Sequence, residues 1–178
     1  MSCSSKIFYS VLLTLSFLAF SGTSIRTQDL ISTTCSHTLY YQICVSSLTS
    51  DSHSKTADLQ GLANIALNVS TLYGEETFAH ITDLESKANE TLNSGSGCLS
   101  VCIEVYRDAN DNLKQTVEAL RDKSEDDLKT FVTSAMTDSD TCEQCFLDMQ
   151  QDSPVSDRNL YFSKLCSNFL AIASLLNP

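Results

Sequence analysis

The 178-residue chain has no tryptophan, two prolines and five glycines. This composition excludes low-complexity tracts and long proline-rich or glycine-rich linkers, and no segment of the sequence has the pattern of a glycine-rich phosphate-binding loop. Basic residues are also scarce, since 11 Lys and Arg oppose 22 Asp and Glu, for a net charge of −11. Such a surface repels nucleic acid and anionic lipid and attracts a basic protein partner, although the same charge also serves solubility. We therefore expect no nucleic-acid partner and no membrane contact.

The only long apolar run lies at the N-terminus. Lys6 precedes the apolar segment Ile7 to Phe20, and the small residues Ser21 to Ser24 follow it. This is the order of a secretory signal, and the segment is shorter than the roughly 20 residues that a membrane span needs. We therefore predict that residues 1–24 are a signal peptide, removed after Ser21 or Ser24. Residues 25–178 are predicted to form one secreted, extracellular domain.

Apolar residues in the mature chain recur every three or four positions, which predicts amphipathic helices. No segment alternates strictly, as a half-buried strand would. Gly74 falls inside the first long helix, where glycine costs about 1 kcal/mol relative to alanine, so we expect a kink or break there. The four helical segments are Lys55 to Leu92, Leu99 to Leu120, Leu128 to Met149 and Phe162 to Leu176.

Short connections separate these helices. We predict a turn over Asn93 to Gly97, a capping box at Ser124 and Asp127, and a helix cap at Ser156. The helical periodicity predicts an all-α fold, and the short connections make each helix antiparallel to the one before it. Its main unit is an antiparallel up-down-up-down four-helix bundle over residues 53–178.

A smaller unit precedes the bundle, over residues 25–52. It contains Cys35 and Cys44, nine residues apart, with Leu39 and Leu48 among the apolar residues nearby. So short a pair of helices is marginal in water without a staple or a neighbour to pack on. We therefore predict an α-hairpin clasped by a disulfide between these two cysteines.

Seven cysteines remain after removal of the signal peptide, and their pairing cannot be deduced from the sequence alone. Cys98 and Cys102 lie on one predicted helix, and Cys142 and Cys145 lie on the next. If the two helices are antiparallel, a step of four residues back from Cys102 and a step of three residues forward from Cys142 both move about one turn in the same spatial direction. A Cys102–Cys142 bridge would therefore bring Cys98 close to Cys145. A Cys102–Cys142 bridge would close a loop of about 40 residues, and the chain-entropy model assigns roughly 4 kcal/mol of stabilisation to it. Cys166 is left over, and we expect a buried free thiol.

Two other roles for these cysteines are open. The two pairs offer the four thiolates of a zinc site, and Cys142-Glu143-Gln144-Cys145 has the spacing of a redox motif. An oxidising compartment favours disulfides, and the redox motif belongs beside a βαβ unit, of which the sequence shows no sign. We expect neither a metal nor a cofactor.

No group of residues suggests an active site. His37, His53 and His80 are scattered, and none has a nucleophile and a carboxylate at the spacing of a catalytic triad. We therefore expect no enzymatic activity. Asn68-Val69-Ser70 and Asn89-Glu90-Thr91 are acceptor sites for N-glycosylation, and in a secreted chain we predict that Asn68 and Asn89 are modified.

Cysteine spacing and two short segments resemble a known family. The spacings are Cys35-(x8)-Cys44 and Cys102-(x39)-Cys142, and the segments are Cys102 to Ala109 and Ser134 to Thr137. Together they are similar to the plant invertase and pectin methylesterase inhibitors, and the similarity extends from about Thr27 to Leu176. Within that family, Ser54 to Leu62 and Ser153 to Val155 most resemble pollen allergen-like proteins.

The resemblance implies a four-helix bundle with an N-terminal helical hairpin and the bridges Cys35–Cys44 and Cys102–Cys142. Cys98 and Cys145 are additional to the usual family cysteines, and the helix geometry would pair them. The implied activity is stoichiometric inhibition of a plant cell-wall or vacuolar acid invertase, with a pectin methylesterase as the alternative partner. The implied location is the apoplast, the cell wall or the vacuole, and we expect a monomer.

The related invertase inhibitors carry a Pro-Lys-Phe motif between the second and third bundle helices, and this sequence does not. The acidic residues Glu125-Asp126-Asp127 stand in its place. We place the inhibitor contact on the connection Asp122-Lys123-Ser124-Glu125-Asp126-Asp127. The alternative role of these acids is to stabilise the positive end of the following helix. A secreted structural or pollen protein without inhibitory activity is a further interpretation. A cytokine-like bundle is disfavoured by the short connections.

Overall fold

A computed structural model describes residues 29–90 and 96–176, and those ranges contain helices and no strand. The predicted signal peptide, residues 1–24, lies outside the described residues. The first helix, α1, covers 29–35. The elements that follow are α2 (Tyr41–Ser50), a 3₁₀ helix (Ser52–Thr56), α3 (Leu59–Glu90), α4 (Ser96–Asp122), α5 (Glu125–Asp148) and α6 (Ser156–Ser174).

Helices α3 to α6 form the bundle, and each packs antiparallel against two neighbours. Both α3 and α5 contact α4 and α6. Tyr73 of α3 faces Tyr161 of α6, with ring centroids 4.9 Å apart. The hydroxyl oxygens of Ser139 of α5 and Ser163 of α6 are 3.4 Å apart. The predicted all-α fold, an up-down-up-down four-helix bundle, is therefore confirmed.

The bundle core contains most of the apolar residues that recur every three or four positions along the predicted helices; Val117 and Met149 are on that pattern but are exposed. Phe162 and Phe169 of α6 are fully buried, and burial of each contributes about 2–3 kcal/mol. Val117 is 51% exposed, because the buried stripe of α4 passes through Thr116, whose hydroxyl donates to the Asn112 carbonyl at 2.9 Å. Met149 is 61% exposed, because α5 ends one residue earlier, at Asp148.

A break, one of the two possibilities expected at Gly74, does not occur, because α3 continues unbroken from Leu59 to Glu90. A Cβ on Gly74 would lie 2.5 Å from Oδ1 of Asn110 in α4 and 2.9 Å from Cε2 of Phe162 in α6. The glycine therefore permits close packing of three helices. Tertiary contacts of this kind outweigh the intrinsic cost of glycine in a helix.

Three expected helix boundaries need correction. The helix predicted from Lys55 begins at Leu59 instead, where the Asp58 carboxylate accepts a 2.8 Å hydrogen bond from the Gly61 N–H. Part of the turn expected over 93–97 is helical, since α4 begins at Ser96; residues 93–95 lie outside the described ranges. Ser156 is the first residue of α6 and does not cap it, because Val155 occupies the cap position.

The N-terminal α1–α2 hairpin packs on the α3 and α6 side of the bundle. Cys35 and Cys44 form a disulfide with their Cα atoms 5.6 Å apart. Asn168 of α6 then holds the connection between α1 and α2, since its amide donates to the Tyr40 carbonyl at 3.1 Å and accepts from the Tyr40 N–H at 3.3 Å. Leu48 is buried beneath the hairpin, whereas Leu39 at the tip is 76% exposed.

Candidate functional site

The three histidines lie on separate elements of the described structure: the α1–α2 connection, the 3₁₀ helix and α3. His37 and His53 are exposed and His80 is half-buried, and the His53 ring contacts Asp51 at 2.8 Å. Within residues 29–90 and 96–176, no group of three or more His, Cys, Asp or Glu side chains could hold a metal ion. In the same ranges, no helix is long and apolar enough to cross a membrane.

Two disulfides tie α4 to α5 at one end of the bundle. Cys98 is bonded to Cys145, and Cys102 is bonded to Cys142, with Cα–Cα distances of 5.6 and 4.5 Å. Both cysteines of the second bridge are fully buried, whereas Cys145 of the first is half-buried. The two bridges are about one helical turn apart, and together they fix the register of α4 against α5.

Cys166 is a buried free cysteine on α6. Desolvation raises the pKa of its thiol to about 12, and a hydrogen bond with Ser70 opposes this shift. Since the thiolate is the reactive form, the buried thiol is chemically inert near neutral pH.

The connection predicted to contact a target, residues 122–127, lies at the end of the bundle opposite the two α4–α5 disulfides. We call it the acidic turn. Asp122 is separated from Cys102 by 20 helical residues, which corresponds to about 30 Å along α4. Lys123 has a left-handed backbone with φ 56°, and the Ser124 N–H donates to the Ala119 carbonyl at 3.0 Å. This Schellman motif ends α4 in a defined conformation.

The expected capping box at Ser124 is wrong in one respect. The Ser124 hydroxyl accepts no hydrogen bond from a backbone N–H of α5; instead it donates to the Asp127 carboxylate at 2.6 Å. Glu125, Asp126 and Asp127 occupy the exposed first turn of α5, where the helix dipole favours negative charge. The acidic turn is therefore ordered by its own short-range interactions and is presented to solvent.

Charges around the acidic turn are mixed, with an excess of acids. Five acidic and three basic side chains lie between residues 118 and 129. Arg121 forms ion pairs with Glu118 and Asp122, and these raise the pKa of its guanidinium. Because the charges are exposed, each ion pair adds little to stability. Their main physical effect is on the attraction of charged partners.

A cleft of about 250 Å³ lies beside the acidic turn, between the start of α5 and the end of α6. We call it the end cleft. Its walls are apolar, with charged Glu125 and Lys129 among the lining residues. The periodic apolar pattern of the sequence does not reveal this cleft, because Leu170 is adjacent to the core residue Phe169 and is not on the fully buried stripe of α6. The lining residues are Glu125, Leu128, Lys129, Leu170, Ala173 and Ser174.

A shallow groove continues from Lys129 along the outer face of α5, with a volume of about 510 Å³. Four hydroxyl side chains line it, and Asp138 lies at its far end. Burial is the main cause that raises the pKa of Asp138, with Asp108 adding to it; a 3.3 Å hydrogen bond from the Asn112 amide opposes the shift. We call this surface the hydroxyl groove; its hydroxyl residues are Thr130, Thr133, Ser134 and Thr137.

The two predicted glycosylation positions lie on α3. Asn68 is exposed, in the middle of the helix. Asn89 is in the last turn of the helix, and its side chain lies outside the described part of the structure. The acidic turn therefore lies at the opposite end of α4 from the two α4–α5 bridges, and Asn68 lies in the middle of α3.

Comparison with known proteins gives one family. The family described as plant invertase/pectin methylesterase inhibitor matches residues 29–172, which include both the hairpin and the bundle. A pectinesterase inhibitor from Actinidia deliciosa is 28% identical over 98% of this chain and 95% of its own length. An Arabidopsis thaliana protein named cell wall / vacuolar inhibitor of fructosidase 2 is 33% identical over 80% of this chain and 79% of its own length.

A plane-tree relative agrees with that family, and a solved structure agrees with the fold. A Platanus acerifolia protein, provisionally named an invertase inhibitor, is 31% identical over 83% of this chain and 86% of its own length. The crystal structure of a mutant pectin methylesterase inhibitor from Arabidopsis superposes with a TM-score of 0.67. It is 23% identical and covers 82% of this chain and 95% of its own.

Proposed function

Since the chain belongs to the plant invertase/pectin methylesterase inhibitor family, we propose that it is a secreted inhibitor that blocks an acid invertase by forming a stoichiometric complex. The observation that carries the proposal is the extent of the match. It includes the hairpin and all four bundle helices, and relatives above 30% identity are named for inhibition of invertase or fructosidase. Members of the family are inhibitors, and the chain is not an enzyme.

The inhibitor acts by presenting a preformed surface to its target. The acidic turn, the end cleft and the hydroxyl groove adjoin one another, because Glu125 belongs to the first two and Lys129 to the last two. Helices α5 and α6 and the Schellman motif hold these residues in place before binding. Such preorganisation lowers the entropy that a protein loses when it binds. We assign the target contact to this combined surface.

A pectin methylesterase is the second candidate target, and the charge of the acidic turn is the observation that favours it. Invertase inhibitors of the family use a Lys in this connection, whereas the present chain exposes Glu125, Asp126 and Asp127. These acids would attract a basic rim on an esterase, and complementary charges speed association and favour the correct partner. The match with the Actinidia pectinesterase inhibitor over 98% of this chain also supports this candidate.

Parallel titration separates the two targets. Purified protein is added to a fixed concentration of an acid invertase and, separately, of a pectin methylesterase, at concentrations well above the expected Kd. We expect invertase activity to fall linearly to an end point at one inhibitor per enzyme. Protein that has been reduced and alkylated serves as the control, since it lacks the two α4–α5 bridges.

Each outcome of the titration has a clear meaning. An end point with the esterase alone would replace invertase by the second candidate. Full activity of both enzymes in the presence of excess folded protein would contradict the proposed function and favour a secreted protein without inhibitory activity.

A further inference from the structure

Asn68 is the exposed residue of an Asn-Val-Ser acceptor site and lines a cleft of about 360 Å³. We propose that Asn68 carries an N-linked glycan whose first sugar residues occupy this cleft. The glycan is thus a covalently attached ligand of the folded domain. We call the cleft the α3 cleft; its lining residues are Asp51, His53, Ala57, Gly61, Asn64, Ile65 and Asn68.

The direction of the Asn68 side chain leads the glycan into the cleft. Side chains on an α-helix lean towards the helix N-terminus, over the residues three and four positions earlier. For Asn68 these are Ile65 and Asn64, both of which line the cleft. Leu72 lies one turn in the other direction and is half exposed, so it marks the surface that the glycan would cover if it extended the opposite way.

The chemistry of the α3 cleft suits an N-acetylhexosamine. Such a sugar has one apolar face and an acetamido methyl group, together with hydroxyl and amide groups that form hydrogen bonds. Ala57, Gly61 and Ile65 supply an apolar floor. A side chain at Gly61 would disturb this floor, because its Cβ would lie 2.9 Å from Cβ of Ala57.

The polar residues of the cleft supply hydrogen-bonding groups. Asp51 accepts 2.8 Å hydrogen bonds from the His53 backbone N–H and from its ring, and these bonds lower the pKa of the Asp51 carboxyl. A carboxylate acceptor is therefore held in the cleft. Asn64 is exposed and brings an amide that both donates and accepts.

The acceptor site is closed once the chain has folded. Ser70 is 0% exposed, and its hydroxyl donates to the Ala66 carbonyl at 2.9 Å inside α3. The sugar therefore has to be attached before α3 forms. In that step Nδ2 of Asn68 bonds to C1 of a lipid-pyrophosphate oligosaccharide, the bond between C1 and the pyrophosphate breaks, and the amide loses one proton. The inference rests on secretion of the chain and is independent of which enzyme it inhibits.

Secretion from plant cells tests the attachment. Wild type, Asn68→Gln, Ser70→Thr and Asn89→Gln are compared by intact mass and glycopeptide mapping. We expect Asn68→Gln to lose the mass of one glycan, whereas Ser70→Thr, which preserves the acceptor motif, and Asn89→Gln keep the Asn68 glycan. Secreted wild-type protein with an unmodified Asn68 would overturn the proposal.

Methyl and histidine-ring NMR spectra test the placement. Glycosylated wild type is compared with Asn68→Gln from the same cells, and the effect of the substitution itself is measured with both proteins made unglycosylated in bacteria. We expect glycan-dependent shifts of the Ile65 methyl and His53 ring signals, with no such shifts on removal of the Asn89 acceptor. Shifts at Leu72 with Ile65 unchanged, or no shift at any of these residues, would overturn the placement. Neither measurement involves a target enzyme.

Discussion

The phenolic oxygen of Tyr106 donates a 2.8 Å hydrogen bond to Oδ1 of Asn159 and joins α4 to α6 inside the bundle. The Asn159 amide continues the network to α5, where it donates to Glu143 at 2.8 Å. Tyr106 is fully buried, and burial raises the pKa of its hydroxyl far above the usual value. The hydroxyl therefore remains a neutral donor, and one small network connects three of the four bundle helices.

Replacement of Tyr106 by Phe is expected to destabilise the fold by about 1–3 kcal/mol, because it leaves the buried Asn159 carbonyl without its donor. Urea denaturation followed by far-UV circular dichroism measures the change. Tyr41→Phe is the control: its hydroxyl forms an exposed 3.1 Å hydrogen bond with the Ser32 hydroxyl, and loss of this bond is expected to cost less than about 0.5 kcal/mol. Equal stabilities of Y106F and wild type would contradict the structural role of the network.

Removal of one α4–α5 disulfide is expected to lower the free energy of unfolding by less than half as much as removal of both. With Cys102–Cys142 intact, the Cys98–Cys145 bridge closes a ring of only about nine residues, worth roughly 2.5 kcal/mol in the chain-entropy model. Loss of both bridges also opens the loop of about 40 residues and raises the cost to about 6 kcal/mol. Paired Cys→Ala variants, compared by denaturation, measure both costs.

Non-reducing peptide mapping checks the pairing on which this prediction depends. We expect peptides linked through Cys35–Cys44, Cys98–Cys145 and Cys102–Cys142. A bridge between Cys98 and Cys102, or any bridge to Cys166, would show that the pairing is wrong.

Cys166 is expected to be unreactive in the folded protein. Its thiol is buried and its pKa is raised to about 12, so the thiolate population near neutral pH is very small. A thiol reagent such as Ellman's should detect no thiol in native protein and one per chain in guanidinium chloride. Fast reaction of the native protein would indicate that α6 opens locally near this residue.

The sequence predicted the bundle because its main determinants are local and periodic. Phe162 and Phe169 identify the buried face of α6, and the paired spacings of the cysteines on α4 and α5 are geometric constraints that helix pitch can interpret. Gly74 could not be interpreted in this way. Its packing against Asn110 and Phe162 depends on residues 36 and 88 positions away, which helix propensity does not consider.

Surface features were harder to predict, because they too depend on residues that are distant in the sequence. The exposed acidic turn follows from a short connection between two helices, and the sequence placed it correctly between α4 and α5. The end cleft combines α5 with the end of α6, so it appears only when the two helices are packed. The hydrogen bond of Ser124 also differs from the expected cap, because a nearby Asp127 carboxylate accepts from the hydroxyl.

Asp138→Asn is expected to stabilise the protein at neutral pH. The raised pKa means that the native state binds the Asp138 proton more tightly than the unfolded state, so this group lowers stability as pH rises from its unfolded value of 3.8 through the native pKa. Asn removes this cost and can still accept from Asn112. Since the group is only partly buried and solvent still screens it, the gain is about a few tenths of a kcal/mol, and it should vanish below pH 3.8.

Thermal denaturation from pH 3 to pH 7 measures this difference. Asp140→Asn is the matched control, because Asp140 is an exposed acid on the same helix. A gain for D138N that is independent of pH, or an equal gain for D140N, would show that Asp138 is not the source of the effect.

Neutralisation of the acidic turn is expected to distinguish the two target enzymes. The variant E125Q/D126N/D127N keeps side-chain size and Ser124 but removes three negative charges. Binding to an esterase with a basic rim should weaken and should depend less on salt, since exposed charges are screened over about 8–10 Å near physiological ionic strength. Binding to an invertase, whose inhibitors in this family use a Lys in the same connection, should not weaken. A control variant with the same charge change, E75Q/E76Q/D152N, alters exposed acids elsewhere.

Stopped-flow association and equilibrium inhibition at several salt concentrations measure these effects. Loss of the acids also removes favourable interactions with the α5 dipole, worth about 0.3–1 kcal/mol each, so both variants are first compared by denaturation. If inhibition and its salt dependence are the same for the variant and wild type with both enzymes, the acidic turn makes no contact with the target. The target contact would then lie on the end cleft or the hydroxyl groove, where Lys129→Ala is the next substitution, because Lys129 lines both.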